Sequence, residues 1–214
     1  MPKIQMPRGN PALDMTPMVD LAFLLVTFFM LTASVRVDEP VIVDSPSSAS
    51  DKILPNNTIM VTVGKDGKVF FNMDNPEVRV KTLEAMSGQY KVAFSEKEKN
   101  KFARLGSFGV PMEKLKDYLN LEDVERVKYP SEGIPIDSLH NQIGDWIIFG
   151  YQQAGGKYLT EKKKNPDGFK GEKPRLAIKA DSKTNYLIVQ RVINIIKDKK
   201  MEPRLNFITN LEQE

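Results

Sequence analysis

The longest apolar stretch of the chain, residues 17–35, constrains its fold more than any other sequence feature. The stretch reads PMVDLAFLLVTFFMLTASV and contains one charged residue, Asp20. A helix of this length is about 28 Å long, close to the thickness of the hydrocarbon core of a bilayer. The sequence therefore predicts a transmembrane helix over residues 17–35.

A cleavable signal peptide is the alternative interpretation of this stretch. Thr32, Ala33 and Ser34 supply the small residues that a cleavage site needs. The apolar region of a signal peptide is, however, about 7–15 residues long and does not normally carry an acid. Because this run is longer and contains Asp20, we favour an uncleaved membrane anchor.

The charges beside the stretch predict its orientation. The N-terminal tail, residues 1–16, carries Lys3 and Arg8 against Asp14. Positively charged flanks tend to stay on the cytoplasmic side of a membrane. We therefore predict a cytoplasmic tail and a C-terminal part on the opposite side, although Arg36, just after the stretch, weakens the bias.

Asp20 requires an explanation, because an acid at the centre of a membrane helix costs about 2.5–3.5 kcal/mol on insertion scales. Thr16, Asp20, Thr27 and Ser34 are spaced by four or seven residues and share one helix face. A polar stripe of this kind is expected where a helix meets protein or water, so we favour a functional role. In the alternative, Thr16 caps the helix, Pro17 follows it, and Asp20 lies in the first turn near the headgroups.

A carboxylic acid within a membrane can couple a proton gradient to movement. A low-dielectric environment favours the neutral form of the acid, which can then take up a proton on one side and release it on the other. A charge crossing the membrane potential changes in energy by about 2.3 kcal/mol per 100 mV. Since a single helix encloses no conduction path, this function requires a multi-span membrane partner.

The composition argues against several other classes of function. The 214 residues include no cysteine and one histidine, His140, and the net charge is +3. We therefore predict no disulfide, no metal site, no cofactor and no nucleic-acid partner. No Gly-rich phosphate loop and no nucleophile–base pattern is recognisable, so the chain is not expected to be an enzyme.

Residues 36–57 are predicted to form a flexible linker, because they are rich in Pro, Ser and Asp. Inside this linker, Val41, Val43 and Pro46 belong to a short extended apolar segment. The segment is either an incidental part of the linker or a strand that adds to the edge of a sheet.

Residues 58–214 are predicted to form one α+β domain. Residues 59–63 and 68–72 alternate between apolar and polar side chains, and Asp66-Gly67 between them predicts a tight hairpin. Near the end of the chain, a strand at 176–180, a helix from Tyr186 to about Lys200 and a strand at 205–208 follow one another. This crossover makes its two strands parallel, which gives a two-layer domain with a mixed sheet of about four strands and helices on one face.

Three further helices are indicated between the hairpin and the crossover. Ser95 and Glu98 form a capping-box pattern that starts a helix ending near Gly106. A short amphipathic helix is marked by Met112, Leu115, Tyr118 and Leu119. The third begins at an Asp137 cap and ends at Gly155-Gly156, with an apolar side formed by His140, Ile143, Trp146, Ile147 and Tyr151. We expect His140 and Trp146 to pack against the sheet.

The lysine-rich residues 157–173 contain Pro-Asp-Gly at their centre and are predicted to form a solvated loop. Binding of anionic envelope polymers or lipid headgroups is the alternative.

The run Asp14-Met15-Thr16-Pro17-Met18-Val19-Asp20, continuing through Leu24-Leu25 to Phe28-Phe29-Met30, resembles the start of the ExbD/TolR family of biopolymer transport proteins, ExbD in particular. The closing strand–helix–strand, with Ala180-Asp181-Ser182-Lys183 after its first strand, is similar to the end of that family. The family has a single shorter helix between its hairpin and its third strand. The resemblance therefore implies that much of residues 74–135 is an insertion.

This resemblance also implies a function and a location. The chain would be a single-pass protein of the bacterial inner membrane with a periplasmic domain, and two copies would pair inside a ring of multi-span ExbB-like subunits. Asp20 would carry protons, Thr27 would be its polar neighbour, and the motion would power a TonB-like protein for outer-membrane transport. The resemblance also favours the sheet-adding interpretation of the linker. In the alternative function, a TolR-like periplasmic domain binds peptidoglycan and the helix mainly serves as an anchor.

Overall fold

The computed structural model describes residues 15–32, 47–48, 57–137, 141–166, 168–169, 171–198, 205–208 and 210–211. The chain divides into two compact units, Met1–Arg36 and Val37–Glu214. In the first unit, helix α1 occupies Thr16–Thr32. Among the residues that the structure describes, no helix combines the length and the apolarity that a membrane crossing requires. Positions 33–35, the end of the predicted span, lie outside the described residues.

The second unit contains six short strands and six helices within its described residues. In chain order they are β1 (Ser47–Ser48), β2 (Thr58–Val63), β3 (Val69–Met73), α2 (Pro76–Tyr90), α3 (Glu96–Arg104), α4 (Met112–Asn120), α5 (Asp123–Lys128), α6 (Gln142–Lys164), β4 (Arg175–Ala180), α7 (Tyr186–Asp198), β5 (Leu205–Ile208) and β6 (Asn210–Leu211).

Four of these strands form one mixed sheet in the order β3-β2-β4-β5. The β2–β3 pair is antiparallel, and the β2–β4 and β4–β5 pairs are parallel. This confirms the predicted α+β class, the mixed sheet of four strands and the parallel crossover through α7. The hairpin turn is also confirmed, because Gly64 N donates to Lys68 O at 2.9 Å and Gly67 adopts a φ of +76°, which favours glycine.

The hydrophobic core lies on one face of this sheet. The alternation of the strands puts Ile59, Val61 and Val63 of β2 on that face, beside the matching positions of β3 and β4. Helices α2 and α6 pack onto it, and α7 contributes Val192, Ile195 and Ile196.

Trp146 of α6 lies fully buried within this core. Its ring centroid is 5.7 Å from that of Phe71, 5.8 Å from that of Phe102 and 5.1 Å from that of Phe108. The predicted packing of Trp146 is thus confirmed, whereas His140 lies outside the described residues.

The outer edge of β3 is covered by the segment between α3 and α6. Phe71 and Phe108 exchange two backbone hydrogen bonds of 2.8 and 3.0 Å, and Ile134 N donates to Val69 O at 2.8 Å. Part of the predicted insertion, residues 74–135, therefore shields a sheet edge that would otherwise expose unpaired backbone groups.

Two helix predictions in this region are confirmed. Ser95 and Glu98 form the expected capping box at the start of α3, which ends at Arg104. The four apolar residues predicted for the next helix are all buried in α4.

Helix α2 begins at a sequence signal, Asn75-Pro76, from which no helix was predicted. Asn75 accepts hydrogen bonds from Glu77 N and Val78 N, and Pro76 begins the helix. An Asn-Pro pair at these positions is a typical helix start.

The predicted ends of α6 were wrong. Its N-cap is Asn141, whose side chain accepts from Gly144 N at 3.0 Å, and not Asp137.

The helix also continues through Gly155-Gly156 to Lys164, so residues 157–164 are helical and not part of a loop. The extra turns are held by Lys157, which forms an ion pair with Glu77 of α2 and lies 3.7 Å from Glu161. The ion pair with Glu77 is a tertiary contact that offsets part of the cost of about 1 kcal/mol for each helical glycine.

Candidate functional site

Asp20 is the fifth residue of helix α1 and lies directly after its first turn. Val19 N donates to Met15 O at 3.0 Å, and Thr16 is the first helical residue. The first turn contains no acidic residue. Because the effect of a helix dipole declines within one turn, the dipole alone does not explain an acid at position 20.

Three polar residues of α1, Thr16, Asp20 and Thr27, share one face, whereas Thr32 lies off this face. Thr16 lies one turn before Asp20, and Thr27 lies about two turns after it. The Thr27 hydroxyl donates to Phe23 O at 2.9 Å and to Leu24 O at 3.0 Å. Its polar group is therefore satisfied within the helix and tolerates apolar surroundings.

The Asp20 carboxylate has no hydrogen-bond or ion-pair partner among the described residues. Around it, Met15, Thr16, Val19 and Phe23 line a shallow, open surface. The charged carboxylate therefore needs water or a polar group of another molecule, and without either the carboxyl group is protonated.

The apolar side chains of α1 are exposed on all sides. No residue of the helix is buried, and the exposed fractions of its large apolar side chains range from 53% for Val19 and Leu25 to 87% for Leu31. An apolar surface of this extent is typical of a helix that contacts lipid or another protein.

The other predicted site residues, Ser34, Val41, Val43 and Pro46, lie outside the described residues. Directly after Pro46, strand β1 pairs in parallel with β6, with Ser47 opposite Asn210 and Ser48 opposite Leu211. The linker thus contains a short strand next to the predicted segment, and the role of that segment stays a prediction. The Ser-Ser sequence itself gives no strand signal.

Polar groups buried in the domain connect its helices. Gln142 at the start of α6 accepts from Met112 N at 2.8 Å and donates to Glu113 of α4 at 2.9 Å. Tyr90 of α2 donates to Asp145 at 2.9 Å, and its burial raises the pKa of the Tyr90 hydroxyl. Sequence patterns did not single out these contacts, because each joins residues far apart in the chain.

Arg79 of α2 is a further polar group of the domain and is half-buried. It donates to Met73 O and to the Asn72 side chain of β3, and burial lowers the pKa of its guanidinium to about 10. These bonds join a helix to the sheet, as structural contacts do. Among the described residues, no group of three or more His, Asp or Glu side chains is arranged to hold a metal ion.

Taken together, these features define a class of protein in which an apolar helix with an acid on its surface precedes an α+β domain with a mixed sheet. A family model described as biopolymer transport protein ExbD/TolR matches residues 6–120, which is 115 of the 214 residues. The chain therefore belongs to the ExbD/TolR family. No curated protein and no solved structure matched it.

The matched region runs from the N-terminal tail through α1 and the hairpin to the end of α4. It contains Asp20 and its polar neighbours, whereas β4, α7 and β5 follow after it. Members of this family are generally anchored in the inner membrane and act in energy transduction for biopolymer transport, together with ExbB/TolQ-like partners and TonB/TolA-like proteins.

Proposed function

We propose that this chain is a proton-carrying subunit of an inner-membrane motor of the ExbB–ExbD type, which powers a TonB-like protein for outer-membrane transport. Asp20 carries the proton. The observation that supports this role is the position of Asp20 beyond the first turn of an apolar helix, without a partner among the described residues.

In this proposal α1 forms most of a single membrane span, residues 17–35, with the tail in the cytoplasm and the domain in the periplasm. An apolar helix exposed on every side needs lipid or protein around it. The face with Thr16, Asp20 and Thr27 meets a ring of multi-span ExbB-like subunits, which completes the path that one helix does not enclose. A second copy of the chain lies beside it in the ring.

The proton couples to motion through the charge of Asp20. When the carboxylate is charged, it is held where water or a polar group of the ring reaches it, because a bare charge in lipid is costly. When it is protonated, the helix face is nearly apolar, since the Thr27 hydroxyl is satisfied by its own backbone. The charged and the protonated states of Asp20 therefore favour different positions of the helix against the ring.

The linker, residues 36–57, transmits this motion to the periplasmic domain. Pairing of β1 with β6 supports a linker that attaches to the end of the chain just after β5. The segment with Val41, Val43 and Pro46 extends this attachment in our proposal. Detachment of such a strand would lengthen the reach of the domain from the membrane.

The experiment that tests the proposal is the substitution Asp20→Asn, which retains the size of the side chain and removes the titratable group. In a strain that lacks the native protein, uptake driven by the proton-motive force should be lost with Asp20→Asn and partly retained with Asp20→Glu. Asp117→Asn is the matched control, because Asp117 is an exposed carboxylate on α4.

Normal uptake by the Asp20→Asn variant at normal expression would contradict the proposal. A loss of uptake with both Asp20→Asn and Asp117→Asn would show a general effect of lost charge, and would contradict it as well. Proton flux through vesicles that contain the chain and its ExbB-like partner gives the direct measurement, and flux should require the carboxyl group at position 20.

A TolR-like function is the second candidate, because the family match includes ExbD and TolR without separating them. In that case the periplasmic domain binds peptidoglycan, and α1 is mainly an anchor. Co-sedimentation of the full chain with purified peptidoglycan, together with wild-type activity of Asp20→Asn, would favour this candidate.

A further inference from the structure

The second half of α6 presents an outward surface formed by Gly155, Gly156, Leu159, Lys162 and Lys163, named here the lysine face. These residues are spaced by three or four positions and lie on one side of the helix. Leu159 is 57% exposed, and both lysines are exposed. A Cβ atom at Gly155 or Gly156 would meet no atom within 4 Å. No described part of the chain covers this face.

The other side of the same helix is attached to the domain. Lys157 forms ion pairs with Glu77 and Glu161 and lies 3.3 Å from Asn75 Oδ1. Lys162 and Lys163 form no ion pair with any described residue. The attachment through Lys157 therefore directs the lysine face away from α2.

The segment that contains this face is rich in positive charge, and Lys157 and Arg175 within it are paired with Glu77 and Glu172. Residues 157–175 contain seven cationic and three acidic residues, a surplus of four, whereas the whole chain has 31 cationic and 28 acidic residues, a surplus of three. Phe169 contacts Tyr158 with a ring distance of 5.3 Å, so the Phe169 side chain packs against the helix.

We propose that the lysine face docks onto the anionic phospholipid surface of the bilayer in which α1 is anchored. This inference rests on the membrane anchor of the proposed function. Lysines near an anionic leaflet are attracted to it within about a Debye length. An exposed leucine between such lysines enters the headgroup region, as in helices that lie on a membrane surface.

The geometry of the face suits a flat surface. Leu159 follows Gly155 by four residues, and Lys162 and Lys163 follow it by three and four, so the leucine lies between the glycines and the lysines. The glycines allow the helix backbone to approach the headgroups, and the lysine stems keep the ammonium groups in the polar layer.

The length of the linker brings the lysine face within range of the bilayer. Positions 33–56 separate α1 from the first strand of the sheet, and an extended chain covers at most about 3.3–3.6 Å per residue. The anchor therefore keeps the domain within about 80 Å of the membrane. At this distance a weak contact is populated because of its high effective concentration.

The test uses the full chain, which contains no native cysteine. Leu159→Cys, labelled with an environment-sensitive fluorophore, is reconstituted in phosphatidylcholine vesicles with or without phosphatidylglycerol. Asp117→Cys, on the exposed side of α4, is the control for the domain. Phe28→Cys in α1 reports separately on the anchor.

We expect the label at position 159, and not the label at position 117, to shift to the blue when phosphatidylglycerol is present. The shift should disappear at about 1 M salt, where the Debye length is about 3 Å. Lys162→Gln and Lys163→Gln should each lower the ratio of docked to undocked domain about fivefold.

The same emission at position 159 in both kinds of vesicle would overturn the docking proposal. A shift with soluble peptidoglycan fragments but not with phosphatidylglycerol would overturn it too, since the ligand would then be a wall polymer. A label at position 28 that remains in water contradicts the membrane anchor and the proposed function. Lipid contact at position 28 without lipid contact at position 159 contradicts the docking alone.

Discussion

Helices α1 and α6, the two longest among the described residues, differ in how they satisfy their apolar side chains. Helix α1 has 17 residues, is rich in Leu and Phe, and buries none of them. Helix α6 has 23 residues with a mixed composition, and it buries Trp146, Ile143 and Ile147 completely or nearly so. The apolar content of a helix therefore does not decide its burial. The sheet provides a partner for α6, whereas no described residue within the unit of α1 buries its apolar side chains.

This difference separates the stability of the domain from the function of the helix. The domain buries its apolar face within itself, so substitutions there should change its free energy of unfolding. Substitutions in α1 should leave that free energy unchanged and act on membrane and partner contacts instead. Trp146, the one tryptophan of the chain, lies in the domain core and reports on its unfolding alone.

The largest effect is expected from a matched pair of phenylalanines. Phe71→Ala should lower the free energy of unfolding by about 3–5 kcal/mol, because Phe71 is buried against Phe108 and Trp146. Phe28→Ala should change it by less than about 0.5 kcal/mol, since Phe28 is 61% exposed. Urea unfolding of the full chain in detergent, followed by circular dichroism and tryptophan fluorescence, measures both. Similar losses for the two variants would show that α1 belongs to the core of the domain.

A second pair compares two glutamines within α6. Gln142→Ala removes the acceptor for Met112 N and should destabilise the domain by about 1–3 kcal/mol, because a buried N–H loses its partner. Gln152 is exposed, and Gln152→Ala should change the stability by less than about 0.5 kcal/mol. The same urea titration measures both, and a neutral Gln142→Ala would mean that α4 does not depend on this contact.

The capping box of α3 should make the domain sensitive to acid. Ser95 N donates to Glu98 Oε2 at 2.7 Å, and this bond holds the pKa of the Glu98 carboxyl below its ordinary value of 4.5. A lowered pKa in the folded state stabilises the domain above pH 4.5, and this contribution is lost as the pH falls through the folded value. Ser95→Ala should cost about 1 kcal/mol at neutral pH.

Unfolding measured between pH 7 and pH 3 checks this dependence. Glu98→Gln should flatten the acid side of the stability profile, and Asp117→Asn, which removes an exposed carboxylate, should leave it as in the wild type. An unchanged acid profile in Glu98→Gln would show that the bond to Ser95 is absent in solution.

The smallest effect is expected from the glycines of α6. Gly155→Ala and Gly156→Ala should each stabilise the domain by about 0.5–1 kcal/mol, because their Cβ atoms enter open space in a helix. Gly144→Ala should destabilise it, since its Cβ atom would lie 3.0 Å from Ile195 Cγ2 and from the Asn141 side chain. Thermal unfolding distinguishes the signs, and destabilisation by all three variants would mean that the lysine face is covered.

Local sequence signals predicted much of the fold. The Asp66-Gly67 turn, the Ser95 capping box and the closing strand–helix–strand each depend on residues within a few turns of one another. The start of α2 had such a signal in Asn75-Pro76, which the sequence interpretation did not use. The sequence signal for the end of α6 was misleading. Gly155-Gly156 is typical of a helix end, but the helix continues to Lys164, and contacts with other elements, such as the ion pair of Lys157 with Glu77, favour the longer helix.

The candidate site was predictable to a smaller extent. Residue spacing alone placed Thr16, Asp20 and Thr27 on one face. The structure added that Asp20 lies beyond the first turn and that the Thr27 hydroxyl is bonded to its own helix. These facts depend on where the helix begins and on backbone geometry, which spacing does not specify.

The sequence by itself determined the periodic features of this protein: the apolar stretch with its acid, the hairpin and the crossover. Each results from the repeat of a helix or a strand and from the conformational preferences of single residues. Only the tertiary structure decided the order of the strands, the cover over the edge of β3 and the length of α6. These depend on contacts between residues far apart in the chain, such as Phe71 with Phe108 and Lys157 with Glu77, and no local pattern encodes which distant partner will be near.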